Sequence, residues 1–383
     1  MSTRLVLIQN ADSPQIESTA EMLRAAGYGT IKYCGSQLRN ELQRIGCDTV
    51  LAPAQMERMG YDPLPHDITE ASLADMDECS LFLEIKVRNV PHILNRWPRL
   101  ERRIAYLRVN GAQPEICPKG GDEVNLPCPI ITACLWYGTD RYRAGNADQG
   151  QSNLEHLASR SVTIEDHLTT AKTIKRHDPS GMCYVMWPPY PKMAEYVNND
   201  RLERTANRGY DPAYGIAHYM PSWGFGTIVN NVADLGVHLY GERSPKGQIP
   251  HSAVKLLAQT ALAFVHLKSV DCPGWALYEA MLSGCPVITA RLLNSRMLAY
   301  DLLIDGQTCW EFGVPASLEY GRGDMAFNQC LVDIKRNLEA LQDRDVNRFI
   351  GENGRQKLLS LMWSKDKPED VGSFTSFCRK NFL

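Results

Sequence analysis

The C-terminal half of the chain contains the run Phe264-Val-His-Leu-Lys-Ser-Val-Asp-Cys-Pro-Gly-Trp-Ala-Leu-Tyr-Glu-Ala-Met-Leu-Ser-Gly-Cys-Pro-Val-Ile288. The apolar stretch Ala263–Leu267 predicts a buried strand, and Trp275–Ser283 predicts a helix that Gly284 closes. The short run Pro286–Thr289 predicts the next strand. This order of strand, loop, helix and strand is typical of a parallel α/β sheet.

The loop and the helix start within this run have the chemistry of a binding site. Ligands of doubly wound sheets bind beyond the carboxyl ends of the strands. Gly274 lets the backbone approach a ligand, and the free N–H groups at a helix start attract anions. Asp271 and Glu279 can accept hydrogen bonds from sugar hydroxyls. The pattern therefore predicts a phosphorylated ligand.

The same alternation continues outward in both directions. We predict further strands and helices in the order Leu5–Gln9, Pro14–Ala26 (closed by Gly27), Thr30–Tyr33, Gln37–Ile45, Thr49–Ala52, Leu81–Ile85, Val90–Arg103, Ile104–Val109 and Ile130–Leu135. After an irregular middle we predict Ile216–Met220, Phe225–Leu235, Val237–Tyr240 and His251–Thr260, and the tail helices Met325–Leu341 and Asp345–Met362. Strands that alternate with helices predict parallel sheets covered on both faces.

The length of 383 residues predicts two domains, because single cores stop growing at ~250–300 residues. We place the crossing around 175–195, where Trp187-Pro-Pro-Tyr-Pro191 cannot continue a helix. The expected domains are 1–180 and 181–383, both doubly wound and Rossmann-like, facing each other across a cleft. An alternative for the last helix of the chain is that it packs back on the N-terminal domain.

Composition and charge exclude several classes of protein. A formal net charge of -3 gives no global attraction to nucleic acid or to anionic membranes. The 12 cysteines show no framework spacing, so we expect buried thiols in a reducing compartment. The start of the sequence lacks the apolar region of a signal peptide, and no window approaches the ~20 apolar residues of a membrane span. These features favour a cytoplasmic protein.

The motifs of the central run resemble the donor site of GT-B glycosyltransferases, in particular the retaining glycosyltransferase family 4. That family carries two acidic residues with seven between them, as Asp271 and Glu279 have here. It continues with a run like Glu279-Ala-Met-Leu-Ser-Gly-Cys-Pro-Val-Ile288. Leu303-Ile-Asp-Gly306 resembles the family's turn after the next helix, and Val237-His-Leu-Tyr-Gly241 resembles its strand that ends in glycine.

The resemblance implies a hexosyltransferase that moves a sugar from a nucleotide-sugar, such as UDP-glucose, to a hydroxyl acceptor with retention of configuration. It implies that Glu279 binds the ribose hydroxyls and that Asp271 holds hydroxyls of the donor sugar. The backbone after Gly274 would face the phosphates, with Pro273 and Trp275 beside it in the donor site. No cofactor is implied besides the nucleotide-sugar as co-substrate.

Two departures from the family pattern bear on catalysis. The first acidic position holds Asp271 instead of the usual glutamate, and the family's Gly-Arg…Lys-Gly pair is missing. Transfer needs a cation, because charge builds on the diphosphate as the glycosidic bond breaks. Asp271 and Lys268 are our candidate catalytic residues, and further candidate cations are Arg243, Lys246 and Lys192. An essential metal is not expected, since neither an Asp-x-Asp motif nor zinc-ligand spacing is present.

The N-terminal half offers one patch for an acceptor, Arg96-Trp-Pro-Arg-Leu-Glu-Arg-Arg103. Basic residues interleaved with aromatic ones can grip phosphates and stack on bases. Pro98 fits only in the first turn of a helix, so a helix from Trp97 would carry Arg99, Arg102 and Arg103 on one face. Arg96, Arg99 and Arg103 are therefore candidate acceptor-binding residues.

The acceptor alternatives remain open: a solvated helix face, a phage-type enzyme that modifies hydroxymethylated pyrimidines in DNA, a small molecule, a lipid-linked sugar or a protein side chain. His66, His92, His156 and His167 are weaker candidates for acceptor contacts. His266, in an apolar strand, fits a satisfied core histidine better than a ligand residue. Two other classes of function stay possible, a nucleotide-sugar epimerase or hydrolase on the same scaffold and a catalytically silent binding subunit.

Overall fold

The structure is a computed structural model of the whole chain. It describes residues 4–7, 13–47, 57, 63–84, 89–108, 130–132, 183–185, 193–216, 231–241, 244–267, 274–290, 302–313 and 324–382. Within these residues, no helix combines the length and the apolar character that crossing a membrane requires.

The described elements alternate between strands and helices along most of the chain. In order they are β1 (Arg4–Leu7), α1 (Ser13–Ala25), β2 (Thr30–Cys34), α2 (Ser36–Arg44), β3 (Thr69–Ala71), α3 (Leu73–Glu78), β4 (Phe82–Glu84), α4 (Val90–Arg96), β5 (Ile104–Arg108), β6 (Ile130–Thr132), β7 (Cys183–Val185), α5 (Met193–Ala206), β8 (Tyr214–Ile216), β9 (His238–Tyr240), α6 (His251–Thr260), β10 (Phe264–His266), α7 (Gly274–Leu282), β11 (Val287–Ala290), β12 (Trp310–Phe312), α8 (Asp324–Ala340), α9 (Arg344–Leu361) and α10 (Pro368–Phe382).

The elements form two compact units, and the first of them combines segments from both ends of the chain. The first unit contains β1 to β7 with their helices, and also α10 from the far end of the chain. The second unit contains the elements from α5 to α9. The boundary predicted at residue 180 is too early, because β7 pairs with β6 in the first sheet.

The sheet of the first unit is parallel throughout and doubly wound. Among the described strands its order is β3-β2-β1-β4-β5-β6-β7. The order reverses between β1 and β4, and both pairings there are parallel. Since neighbouring parallel strands need crossover connections, helices such as α1 and α4 lie between them in sequence.

α1 and α10 share the main core of the first unit. Met22 and Leu23 of α1 are fully buried, in one cluster with Phe374 and Phe377 of α10 and with Trp363 just before it. Gly27 ends α1 with φ +97°, and the N–H of Tyr28 donates to the carbonyl of Leu23, as in a glycine-capped helix end. The last helix of the chain therefore completes the core of the first unit.

The sheet of the second unit is also parallel, with the described order β12-β11-β10-β8-β9. In the sequence order of this unit the arrangement is 2-1-3-4-5, a common doubly wound pattern. The order reverses between β8 and β10, where Tyr214 pairs with Phe264. A ligand of such a sheet is expected outside the carboxyl ends of these two strands.

A buried arginine joins three helices of the second unit. Arg201 of α5 donates from Nη1 to the carbonyls of Ala258 (3.2 Å) and Ala261 (2.8 Å), and from Nη2 to Oδ1 of Asn347 (3.1 Å). Asn347, in α9, donates in turn to the carbonyls of Leu262 (2.9 Å) and Leu341 (3.1 Å). These hydrogen bonds fix the positions of α5, the end of α6 and α9 relative to one another.

The sequence predicted most of these elements, with some errors at the ends. The helix His251–Thr260 matches α6, whereas the helix predicted for Val90–Arg103 ends at Arg96. The strand predicted at Ile216–Met220 begins earlier, at Tyr214. The strand predicted at Thr49–Ala52 lies outside the described residues.

Candidate functional site

α7 follows β10 in the sequence, beyond the carboxyl end of that strand. β10 is one of the two strands between which the order of the second sheet reverses. α7 contacts β10 and β11 and three helices, α5, α6 and α9. Its residues from Leu277 to Leu282 are all buried, so this part of the helix is covered by protein on every side. Gly284 closes it with φ +70°, as predicted, and the N–H of Cys285 donates to the carbonyl of Ala280.

Glu279 lies in the second turn of α7 and is 1% exposed. Its Oε1 is hydrogen-bonded to Nε2 of His251, the first residue of α6. The side chain of His251 is 12% exposed, so the pair reaches the surface through the imidazole. A carboxylate this deep is costly without a partner, and the imidazole supplies one.

The sequence did not single out His251. It follows Pro250, whose extended backbone at the N-cap position starts α6. The two members of the pair are 28 residues apart and come from different helices. No spacing rule connects them, so only the tertiary structure identifies the pair.

The pKa of Tyr214, at the start of β8, is affected by its burial and by nearby groups that include Glu279. Burial raises the pKa of its phenol well above the ordinary value, and electrostatic interactions with Cys285 and Glu279 raise it further. Arg201 opposes this effect. Tyr214 is therefore a neutral phenol at any physiological pH, fully buried against Phe264 with ring centroids 5.0 Å apart.

His266 ends β10 and is 2% exposed. Its Nδ1 lies 3.3 Å from Oγ1 of Thr289, the residue opposite it on β11. Its ring also packs against Phe264, with centroids 5.6 Å apart. These contacts fit the core histidine that the sequence favoured for this position.

The other predicted donor residues are only partly described. Gly274 and Trp275 are the first two residues of α7. Lys246 is exposed, in a turn after β9 where its N–H donates to the carbonyl of Leu239. The remaining candidates lie outside the described residues: Asp271, Pro273, Lys268, Arg243 and Lys192.

The two outlying motifs have the predicted local structure. β9 ends at Tyr240, and Gly241 follows with φ +129°. Gly306 has φ +72°, in a turn where Oδ1 of Asp305 accepts a hydrogen bond from the N–H of Glu311 (2.9 Å). Both glycines thus occupy backbone conformations that other residues rarely adopt.

The predicted acceptor segment does not form the expected helical face. α4 ends at Arg96, a single 3₁₀ turn covers Pro98–Leu100, and Arg102 has a left-handed backbone with φ 65°. Arg99 and Arg103 therefore do not share a helix. Pro98 starts the 3₁₀ turn and removes the N–H that a continued α4 would need.

Two of the three candidate acceptor arginines, Arg96 and Arg99, are in ion pairs. Nε of Arg96 lies 3.1 Å from Glu41, and Nη2 of Arg99 lies 2.8 Å from Asp77. Hydrogen bonds from Arg44 and Arg96 lower the pKa of Glu41 to about 2. The segment leads into the first residue of β5, at the amino edge of the sheet. Ligands of such sheets bind at the opposite edge.

The histidines proposed for acceptor contacts are dispersed. His66 and His92 are exposed, in a turn before β3 and in α4 respectively. His156 and His167 lie outside the described residues. No described contact brings His66 and His92 together.

Comparison with solved structures defines the fold of the chain as GT-B. The structure of HepE from Anabaena in complex with UDP-glucose is similar over 97% of this chain and 97% of its own, with a TM-score of 0.50 and 11% sequence identity. Sucrose-phosphate synthase from Thermosynechococcus elongatus is similar over 99% of this chain and 98% of its own, with a TM-score of 0.51 and 13% identity. These structural neighbours are GT-B glycosyltransferases.

No protein-family model and no curated protein sequence matches the chain. At 11% and 13% identity, the likeness to the two neighbours shows the fold alone. A narrower assignment depends on the residues of the site.

Proposed function

We propose that the protein is a glycosyltransferase that moves a hexose from a nucleotide-sugar, most simply UDP-glucose, to a hydroxyl acceptor with retention of configuration. The observation that carries the proposal is the position of Glu279. It is a buried carboxylate on the helix that starts behind β10, beside the reversal of strand order. A carboxylate there suits ribose hydroxyls, and the start of α7 suits phosphates.

In this proposal each part of the donor meets a different group. The ribose hydroxyls hydrogen-bond to Glu279, and the diphosphate faces the backbone at Gly274. Asp271 contacts the donor sugar, close to the bond that breaks. Lys268, Arg243 or Lys246 neutralises the charge that develops on the departing diphosphate. The reaction needs no divalent metal, so activity should persist in EDTA.

The acceptor is left open in this proposal. Arg96 and Arg99 already pair with acidic side chains, and their segment lies at the amino edge of the first sheet. Neither observation favours DNA over another hydroxyl acceptor.

The first experiment is isothermal titration calorimetry with UDP, ADP and GDP on the wild type and on Glu279→Gln. Loss of charged hydrogen bonds to the ribose is worth ~1.5–3 kcal/mol, so the affinity for the preferred nucleotide should fall about tenfold to a hundredfold. Glu339→Gln, on the exposed side of α8, is the matched control and should bind normally. Unchanged affinity in Glu279→Gln would disprove this placement of the site.

A second experiment separates the classes of function. The protein is incubated with radiolabelled UDP-glucose, with and without acceptor extracts, and the products are separated. Label in an acceptor supports a transferase, whereas free sugar released without any acceptor as the main product would indicate a hydrolase. An epimerised nucleotide-sugar without acceptor would indicate an epimerase, and nucleotide binding with no turnover at all would indicate a silent subunit.

A further inference from the structure

We propose that His251 is a positioning residue of the donor site, whose imidazole orients the Glu279 carboxylate toward the ribose hydroxyls of the donor. The inference rests on the proposed function, because it assigns a role within the same site. It also adds a residue that the sequence pattern does not contain.

The first support is the anchoring of the imidazole. His251 opens α6, directly after the extended Pro250, and the carbonyl of Pro250 accepts hydrogen bonds from the N–H groups of Ala253 (3.0 Å) and Val254 (3.4 Å). Val254 and Ala258 are buried along the same helix. The start of α6 is therefore fixed, and the imidazole at its first residue has a defined position.

The second support is what a single hydrogen bond does to a glutamate. The side chain of Glu279 has three rotatable bonds, and its carboxylate plane is set only when an oxygen is held. Nε2 of His251 is hydrogen-bonded to Oε1, which restricts rotation of the carboxylate about its last bond. A ligand hydroxyl then meets an acceptor whose orientation is already fixed, so less rotational entropy is lost on binding.

The third support is the difference in exposure between the two side chains. Glu279 is 1% exposed, and the side chain of His251 is 12% exposed. The imidazole is the more accessible member of the pair, so a ribose bound at Glu279 would lie close to it. His251 is thus placed both to hold the carboxylate and to border the approach to it.

A merely structural role would also use this pair, as a link between α6 and α7. The two roles differ in one measurable property, the preference for a ribose over the same sugar without its hydroxyls. A structural link affects stability and lowers affinity for both nucleotides alike. A positioning residue affects the discrimination between them.

The experiment uses the nucleoside diphosphate that the wild type binds best among UDP, ADP and GDP, together with its 2′,3′-dideoxy form. Affinities are measured by calorimetry for the wild type, His251→Ala, His251→Gln and the control Ser252→Ala, which changes an exposed neighbour on α6. Melting temperatures of all four are recorded. Glutamine can donate an amide N–H to Glu279, so it tests rescue by a substitute donor.

We expect the wild type and Ser252→Ala to prefer the ribonucleotide by about tenfold to a hundredfold. In His251→Ala the preference should fall to within about threefold, and His251→Gln should recover part of it. A lower melting temperature with an unchanged preference would overturn the inference and leave a structural link.

The outcomes also separate this inference from the proposed function. If the wild type binds no nucleoside diphosphate, the donor site itself is disproved. If the wild type binds one without preferring the ribose, the assignment of the pair to the ribose fails while nucleotide binding stands. If His251→Ala is unfolded, the preference of His251→Gln for the ribonucleotide over the dideoxy form decides the question. A preference below that of the wild type supports the inference, and an unchanged preference overturns it.

Discussion

Gly351 of α9 lies directly against the carbonyl oxygen of Gly284, the residue that closes α7. A Cβ at position 351 would sit 2.0 Å from that oxygen and 2.9 Å from its carbon. Gly354, one turn further along α9, approaches the carbonyl of Thr308 in the same way, at 2.8 Å. The absence of side chains at these positions lets α9 pack closely on the helix that carries Glu279.

Gly351→Ala should therefore destabilise the protein by ~1–3 kcal/mol, because backbone atoms have to shift to admit the methyl group. The gain in helix propensity, about 1 kcal/mol, offsets only part of this cost. The measurement is urea unfolding. Gly372→Ala is the matched control, since nothing lies within 4 Å of a Cβ there, and it should be neutral or stabilising. Equal effects of the two substitutions would contradict the packing argument.

Arg201→Lys should cost ~2–4 kcal/mol of stability, although the charge is kept. Lysine cannot donate at once to the two carbonyls and to Asn347, so at least one buried group loses its partner. The matched control is Arg204→Lys, an exposed position on the same helix, where we expect a change within ~0.5 kcal/mol. A similar melting temperature for both variants would show that the network contributes little.

Asp271→Asn should lower kcat more than it changes KM for the nucleotide-sugar. A carboxylate that touches the donor sugar lies near the charge that develops at the breaking bond, so its effect belongs to the transition state. Steady-state kinetics with the identified acceptor measure both constants, and Asp234→Asn in an exposed turn is the control. A rise in KM at constant kcat would make Asp271 a binding contact only.

Alkaline pH should destabilise the protein through its buried thiols. Burial raises the pKa of Cys79 and that of Cys378 from the ordinary 9.0 to about 12. Below pH 9 both thiols are neutral in folded and unfolded chains, so their contribution to stability is fully present. Between pH 9 and 12 only the unfolded chain ionises, and stability falls by up to about 1.4 kcal/mol per pH unit for each thiol.

The measurement is the urea midpoint between pH 8 and 11. Cys79→Ala should lose its share of the slope even if it is less stable at pH 8. A slope that is identical in wild type and in the variant would show that this thiol does not carry the effect.

Charge reversal at Arg99 and Arg103 tests the predicted acceptor patch. If the segment binds DNA, the slope of log affinity against log salt should fall by about one for each phosphate that is no longer neutralised. The ion pair of Arg99 with Asp77, and the position at the amino edge of the first sheet, lead us to expect no change. The assay is a salt titration on DNA containing 5-hydroxymethyl pyrimidines, with Arg348→Glu as control. A reduced slope in the reversed protein alone would restore the DNA-acceptor hypothesis.

The sequence predicted α7 well because its signals are local. The run from Leu277 to Leu282 is apolar except for Glu279, and Gly284 follows at the position that a helix end needs. The pairing of Glu279 with His251 was beyond reach, since a contact between residues 28 apart depends on how α6 and α7 pack. The candidate donor site, which the sequence placed in the loop and helix from Asp271 to Glu279, thus also includes a contact between α6 and α7.

Short edge strands escaped prediction for a different reason. β3 reads Thr-Glu-Ala and β12 reads Trp-Glu-Phe, and three residues carry too little alternation to distinguish a strand from a loop. The error at Arg96–Arg103 came from charge spacing, which suggested a helix face. Pro98 was the signal in the sequence that opposed a continuous helix. The structure adds the left-handed backbone of Arg102, which a helix does not contain.

The discontinuous first unit has a consequence for biosynthesis. Its central cluster joins Met22 and Leu23 to Phe374 and Phe377, so the ribosome has to release nearly the whole chain before that cluster can close. The second unit, whose elements from α5 to α9 are contiguous, is complete earlier. During translation the apolar surface of the N-terminal half therefore stays exposed until the end of synthesis, and a nonsense codon before Trp363 would leave it uncovered permanently.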